Sequence, residues 1–264
     1  MPNEGTGFLP RILTIAKNAF REAVRDRILY NLIIFVLLIT ASAIFLGELT
    51  AGQESRVIVN LGLSSVLLFG AFIAIFVGVS LVWKEIEKRT VYSIFSKPIG
   101  RGEFIVGKYL GLCLTLLVNV LIMGIGVTLA LLYVGGGRLI GGVWAAVLLI
   151  FLELTIVTAV AIMFSSFSTP ALSALLTFFV FLIGHFSASL LDLATSLGSR
   201  SAVWLFTAIY VLLPNLSNFS FIANSANGDA PTLAWIGTAA AYALVYDVII
   251  MTITVVIFSR RNFK

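Results

Sequence analysis

The residues able to do chemistry in this chain are few, and several of them sit where water is scarce. Glu153 and Asp247 each fall near the middle of a long apolar run, and Asn119 and His185 lie inside two others. A carboxylate at a bilayer centre costs roughly 2.5–3.5 kcal/mol on insertion scales, so an intramembrane acid is a functional candidate by default. It can line a substrate path, carry a proton or ion, or close a polar seam between subunits. The plainer alternative is a protonated carboxyl bonded to a neighbouring helix. Asn119 reads as helix–helix glue. His185 is the only histidine, and a lone imidazole bonds a neighbour more often than it holds a metal, which needs clustered ligands. The single cysteine, Cys113, excludes an internal disulfide and a cysteine-based zinc site, and Met123, Met163 and Met251 are scattered. No metal site is expected.

A second group of chemically able residues is packed into 84–109, KEIEKRTVYSIFSKPIGRGEFIVGKY. Glu85, Glu87, Lys88 and Arg89 give a short helix its polar side, and Val91, Ile94 and Phe95 give it an apolar patch. Pro98 disfavours helix at the residue before it and ends the element; Gly100 and Gly102 make the turn. Apolar contacts with charges set among them suit docking onto a soluble partner. The alternative is a solvated loop whose basic residues only set topology. Gly102 to Lys108 matches the first seven positions of a phosphate-binding loop, but Tyr109 stands where a small hydroxyl should bind Mg²⁺, and no strand precedes it. That match reads as chance, so the chain is expected to have no nucleotide site of its own.

These residues must be carried by membrane helices. Of 264 residues, 60% are hydrophobic and 11% charged, with mean hydropathy +1.09, where a soluble domain carries roughly 25% charge. A soluble fold cannot hide that much apolar surface, so 1–264 reads as one membrane domain. Six continuous runs, about 28–49, 61–83, 105–134, 142–165, 171–191 and 233–258, are long enough for a bilayer core of about 30 Å. Continuous rather than alternating runs predict helices, not a barrel. Placing the N-terminus inside puts fourteen Lys and Arg on one side and only Arg56, Arg138 and Arg200 on the other, which makes both termini cytoplasmic. The net charge of +5 therefore reads as a topology signal and headgroup contact, not as affinity for nucleic acid. No cleavable signal peptide is expected.

Three further elements follow. Residues 8–27 form an amphipathic helix, with Ile12, Ile15, Ala16, Ala19, Phe20, Ala23 and Val24 on one face. Such a helix suits either an interfacial position or a solvated lead-in. The outer segment 192–232 contains an apolar stretch, 201–213, too short for a span and read as a re-entrant or interfacial helix. Small residues recur within the spans at Gly70 and Ala74, Gly78, Gly107 and Gly111, and Gly124 and Gly126, the spacing that lets helices approach closely.

The 84–109 segment resembles the ABC-2 permease family, whose members place a cytoplasmic coupling helix between spans two and three of six. The matching residues are Glu85 and Glu87, Thr90, Ile94 and Phe95, Pro98, Arg101, Glu103, Gly107 and Lys108; Arg89 stands where many members have Gly. AFREAVRDRILY, SKPIGRGEFIVGKYLG and LLPNLSNF are similar to permeases of multicopper-enzyme and nitrous-oxide-reductase maturation. The resemblance implies a transport subunit in a bacterial or archaeal plasma membrane. ATP and Mg would be bound not here but by two cytoplasmic ATPase subunits. It also implies a second permease copy, as a homodimer or heterodimer, and export as the direction; a periplasmic accessory protein is left open. Glu85, Glu87, Lys88, Arg89, Thr90, Ile94, Phe95, Pro98, Arg101 and Glu103 become the ATPase-coupling set. Glu153, Asp247, Asn119 and His185 become candidates for a translocation path or subunit seam. Two other classes stay open: an ion-coupled carrier or channel using Glu153 and Asp247, and an intramembrane enzyme, which one histidine without an E-x-x-H partner argues against.

Overall fold

The computed structural model describes residues 8–25, 27–50, 52–87, 100–187, 203–204, 206–208, 210 and 213–260. Among them every regular element is a helix. The chain runs through α1 (Phe8–Val24), α2 (Arg27–Glu48), α3 (Glu54–Glu87), α4 (Arg101–Tyr133), α5 (Ile140–Ser165), α6 (Pro170–His185), α7 (Ile222–Asn227) and α8 (Leu233–Arg260). Single 3-10 turns lie at Gly137–Leu139 and Leu216–Phe219.

Four of the helices, α3, α4, α5 with its leading turn, and α8, are long and apolar enough to cross a membrane. The apolar stretches in α2 (Val36–Gly47) and α6 are shorter. The six apolar runs of the sequence thus coincide with six helices to within a few residues at most ends. The exceptions are the start of α3, seven residues earlier than expected, and the end of α6, which closes at His185. Of the stretch 201–213, read as a re-entrant or interfacial helix, residues 201–202, 205, 209 and 211–212 lie outside the described residues, and the rest do not decide that reading.

The centre of the bundle is α3 against α5, each flanked by α4, with α2 and α6 laid outside and α8 along α4 and α5. These two helices are the most buried, whereas α8 leaves most of its apolar surface outward, at Leu244, Val245, Val248 and Ile249. In a membrane helix such exposure is ordinary, because lipid is as apolar as leucine. Close approach then comes from small residues. A Cβ on Gly78 of α3 would stand 3.0 Å from the Ala161 Cβ of α5, and beside this crossing Ser165 Oγ donates to the Val79 carbonyl at 2.8 Å. Several other hydroxyls of the apolar helices bond the carbonyl one turn back, as Thr115, Thr158, Thr177 and Thr254 do, so these four add no unmet polar group, whereas the buried Ser173 Oγ has no partner among the described residues.

Candidate functional site

At the end of the bundle where α3 leaves and α4 begins, four helices meet around one lysine. α1 carries Ile12, Ala16, Ala19 and Ala23 on its inner face, all buried. α4 offers it a strip of bare backbone. A Cβ on Gly111 would lie 2.5 Å from the Ala16 carbonyl oxygen and 2.6 Å from the Ala19 Cβ. One on Gly107 would lie 2.7 Å from the Ile15 Cβ. The Gly107–Gly111 pair is therefore the seat of α1, and α1 packs its apolar face on protein.

Lys108 projects from the same strip with its side chain 5% exposed. Its Nζ is 3.2 Å from Glu22 Oε2 of α1 and is ion-paired with Glu85 of α3, and it sits 5.8 Å from the Phe104 ring centroid. A buried ammonium is tolerable here because two carboxylates from two other helices surround it. Around this centre lie further ties. Glu103 accepts from the Gly100 backbone N–H at 2.8 Å, capping α4, and faces Arg11 of α1 at 3.8 Å. Arg101 Nη1 donates to the Ser259 carbonyl at 2.7 Å, at the C-terminal end of α8, where a cation also meets the negative helix end. Phe104 stacks on Phe258 at 5.9 Å.

The coupling set divides accordingly. Glu85, Arg101 and Glu103 are described, and each side chain has contacts inside the chain. Glu87 closes α3, with its side chain outside the described residues. Lys88, Arg89, Thr90, Ile94, Phe95 and Pro98 lie outside them altogether. The segment 88–99 is thus flanked by two helix ends that Glu85 and Lys108 fasten to each other. The stretch Gly102–Lys108 lies within one continuous helix, so it forms no phosphate-cradling loop.

The intramembrane polar residues separate into two places. Glu153 of α5 is 1% exposed, and its Oε1 lies 3.3 Å from Nδ1 of His185 at the end of α6. Asp247 of α8 instead faces Tyr109 of α4 and Thr155 of α5, on the wall of an apolar cleft of about 670 Å³ between α4, α5 and α8. Thr155 is two residues beyond Glu153, so the two acids lie within about 3 Å in depth but roughly 200° apart around α5. They share a level and not a site. Asn119 is buried, with Nδ2 donating to the Thr115 carbonyl at 2.7 Å, while its Oδ1 has no partner among the described residues. No group of three metal-ligating side chains forms among the described residues.

At the opposite end, Asn215 is a hub that the sequence reading missed. Its Oδ1 accepts from the hydroxyls of Ser187 at 2.6 Å and Ser217 at 2.5 Å. Its Nδ2 donates to Tyr210 Oη at 3.0 Å, and its backbone N–H to Tyr242 Oη at 2.8 Å. This pins the Pro214 corner to α6 and α8. Lys108, Glu22 and Arg11 were also absent from the candidate set. A lysine beside a Gly-x-x-x-Gly pair, with an amphipathic helix carrying acids elsewhere in the chain, is the signal that points to them.

Residues 13–263 match the family described as ABC-2 family transporter protein. Among curated proteins, the probable ABC transporter permease protein NosY of Pseudomonas aeruginosa strain PAO1 is 28% identical over 246 residues, covering 84% of this chain and 87% of that protein.

Proposed function

The chain belongs to the ABC-2 family of transporter proteins, and from that premise we propose that it is the membrane half of an ATP-driven exporter. In this reading it works as two permease copies with two cytoplasmic ATPase subunits, which bind the ATP and Mg. Six helices, the four long ones together with α2 and the short α6, cross the plasma membrane, as one domain with both termini cytoplasmic. The segment 88–99 docks on the ATPase.

The observation that carries this is the Lys108 clasp. A permease must turn closure of a soluble ATPase into movement of membrane helices. A loop that flexed at its roots would absorb the push. Here the two roots, at Glu85 and Lys108, are ion-paired to each other, α1 is fastened to Lys108 as well, and α8 is tied to α4 by Arg101, about two turns away. A displacement of 88–99 is then delivered to four helices together.

The test is purification of the full chain with its ATPase. K88E/R89E is expected to abolish association and substrate-stimulated ATP hydrolysis while leaving the folded chain intact. Charge reversal at Glu85 is a poor test, because it removes the partner of Lys108 as well. Retained association and turnover in K88E/R89E would overturn the docking role. The buried Glu153–His185 pair favours a second reading, an ion-coupled carrier. In that case transport persists when ATP is depleted and stops when the ion gradient is collapsed. Labelling of single cysteines at positions 88 and 138 in intact cells, with a membrane-impermeant maleimide, checks the orientation: only position 138 is expected to react.

A further inference from the structure

The end of the bundle far from Lys108 holds a polar pocket of about 620 Å³, formed where α3 begins, α4 turns into α5, and α7 ends. α4 alone is about 50 Å long, so this pocket sits a full bilayer thickness from the clasp, at headgroup level. Arg56 and Arg138 both line it. They are two of only three basic residues that the topology places on this side, where Lys and Arg are ordinarily sparse. Neither guanidinium is ion-paired among the described residues, although Glu54 and Asp229 are close in sequence to the pocket wall. Gln53, Ser55 and Asn227 add neutral donors. All three glycines with left-handed backbone among the described residues, Gly52 (φ 92°), Gly135 (φ 78°) and Gly228 (φ 93°), turn the chain at this pocket and add no side chain to its wall.

We propose that this pocket binds a phosphate group at the outer face. Two arginines offer paired N–H forks that match phosphate oxygens. The volume exceeds a bare phosphate ion and accommodates a head group attached to it. The source is either a phospholipid head group of the outer leaflet or a soluble phosphate compound, and the chemistry is common to both.

The test uses the full chain in dodecyl maltoside and reads Tm. Phosphatidylglycerol is compared with diacylglycerol, which lacks the phosphate, and inorganic phosphate with chloride at matched ionic strength. Phosphatidylglycerol is expected to raise Tm by roughly 5 °C over diacylglycerol near saturation, and R56Q/R138Q to lose that shift. A shift with phosphatidylglycerol only assigns the site to a lipid head group. A shift with inorganic phosphate as well, lost in the same variant, assigns it to soluble phosphate compounds. No shift with either, or an undiminished shift in R56Q/R138Q, overturns the proposal. If the double variant does not accumulate in the membrane, R56Q and R138Q singly are each expected to halve the shift, and full retention in both is equally fatal.

Discussion

Lys108 shows how little of a residue's role lies in its type. The sequence marks it as the last residue of a Gly-Lys pair inside a recognisable segment. Which carboxylates it meets depends on how α1 and α3 are rotated about their axes, and rotation is set by packing rather than by any local pattern. Its burial makes a sharp prediction. K108M leaves Glu85, whose side chain is 17% exposed, without its counter-charge, and breaking a buried pair from one side costs about 3 kcal/mol. The Tm of the purified chain should fall by roughly 5–10 °C. E22Q removes the more exposed partner, 44% exposed, and should cost about 1 kcal/mol or less. Equal losses in the two variants would show that Lys108 is not buried between them. The intramembrane acids give a second residue-level prediction. Glu153 touches His185, so E153Q and H185Q should be strongly non-additive in transport by the assembled complex. E153Q, within α5, and D247N, in α8 against the opposite face of α5, should combine to within about 0.5 kcal/mol of their sum. Coupling between Glu153 and Asp247 as strong as that between Glu153 and His185 would restore a single shared path. That these acids lie deep within apolar helices was legible from the runs; that they face apart was not, because one sequence gives depth and not facing.

At the scale of elements, hydropathy locates the helices well because each carries a continuous apolar run, and four of them are long and apolar enough to cross a membrane. It reads α1 less well. Periodicity identifies Ile12, Ala16, Ala19 and Ala23 as one face, but an apolar face packs equally well on lipid or on protein. The structure chooses protein, and the reason is visible in side-chain size. Three of those four residues are alanine, which presents little to lipid but lets two helix backbones approach over Gly107 and Gly111. The 16-residue α6 is shorter than the apolar run that encodes it, since Pro214 and Asn215 meet its C-terminal end: a Cβ on Gly184 would lie 2.6 Å from the Pro214 carbonyl oxygen. The docking of α1 can be tested by its seat. G111L should force α1 off α4, costing about 1–3 kcal/mol by overpacking. It should also open the α1 peptide bonds after Lys17 and Arg21 to trypsin in detergent. G141L, at a position where a Cβ would meet nothing within 4 Å, is the matched control and should leave the digestion pattern unchanged. Protection of α1 in G111L would mean that something other than the glycine strip holds it.

For the whole molecule, the question is whether gripping the ATPase and moving the membrane helices are separable tasks. The clasp argues that they are. On the proposed function, residues 88–99 supply whatever touches the partner, while Glu85, Lys108, Glu22 and Arg101, which tie four helices together, pass the motion on. Substitutions in the two groups should therefore fail in different ways. K88E/R89E should prevent the complex from forming. The milder clasp variant K108R keeps the charge but replaces a compact ammonium with a planar fork that cannot sit equally between Glu22 and Glu85. It should form the complex with near-normal affinity and hydrolyse ATP, yet move less substrate per ATP, because the push is lost at a loosened root. The measurement is the ratio of transport to hydrolysis in proteoliposomes, set beside the yield of co-purified ATPase. A fall in that ratio at constant yield is the signature of a transmission joint. If K108R instead lowers assembly and hydrolysis together, the clasp is part of the docking surface, and the division between gripping and moving does not exist in this protein.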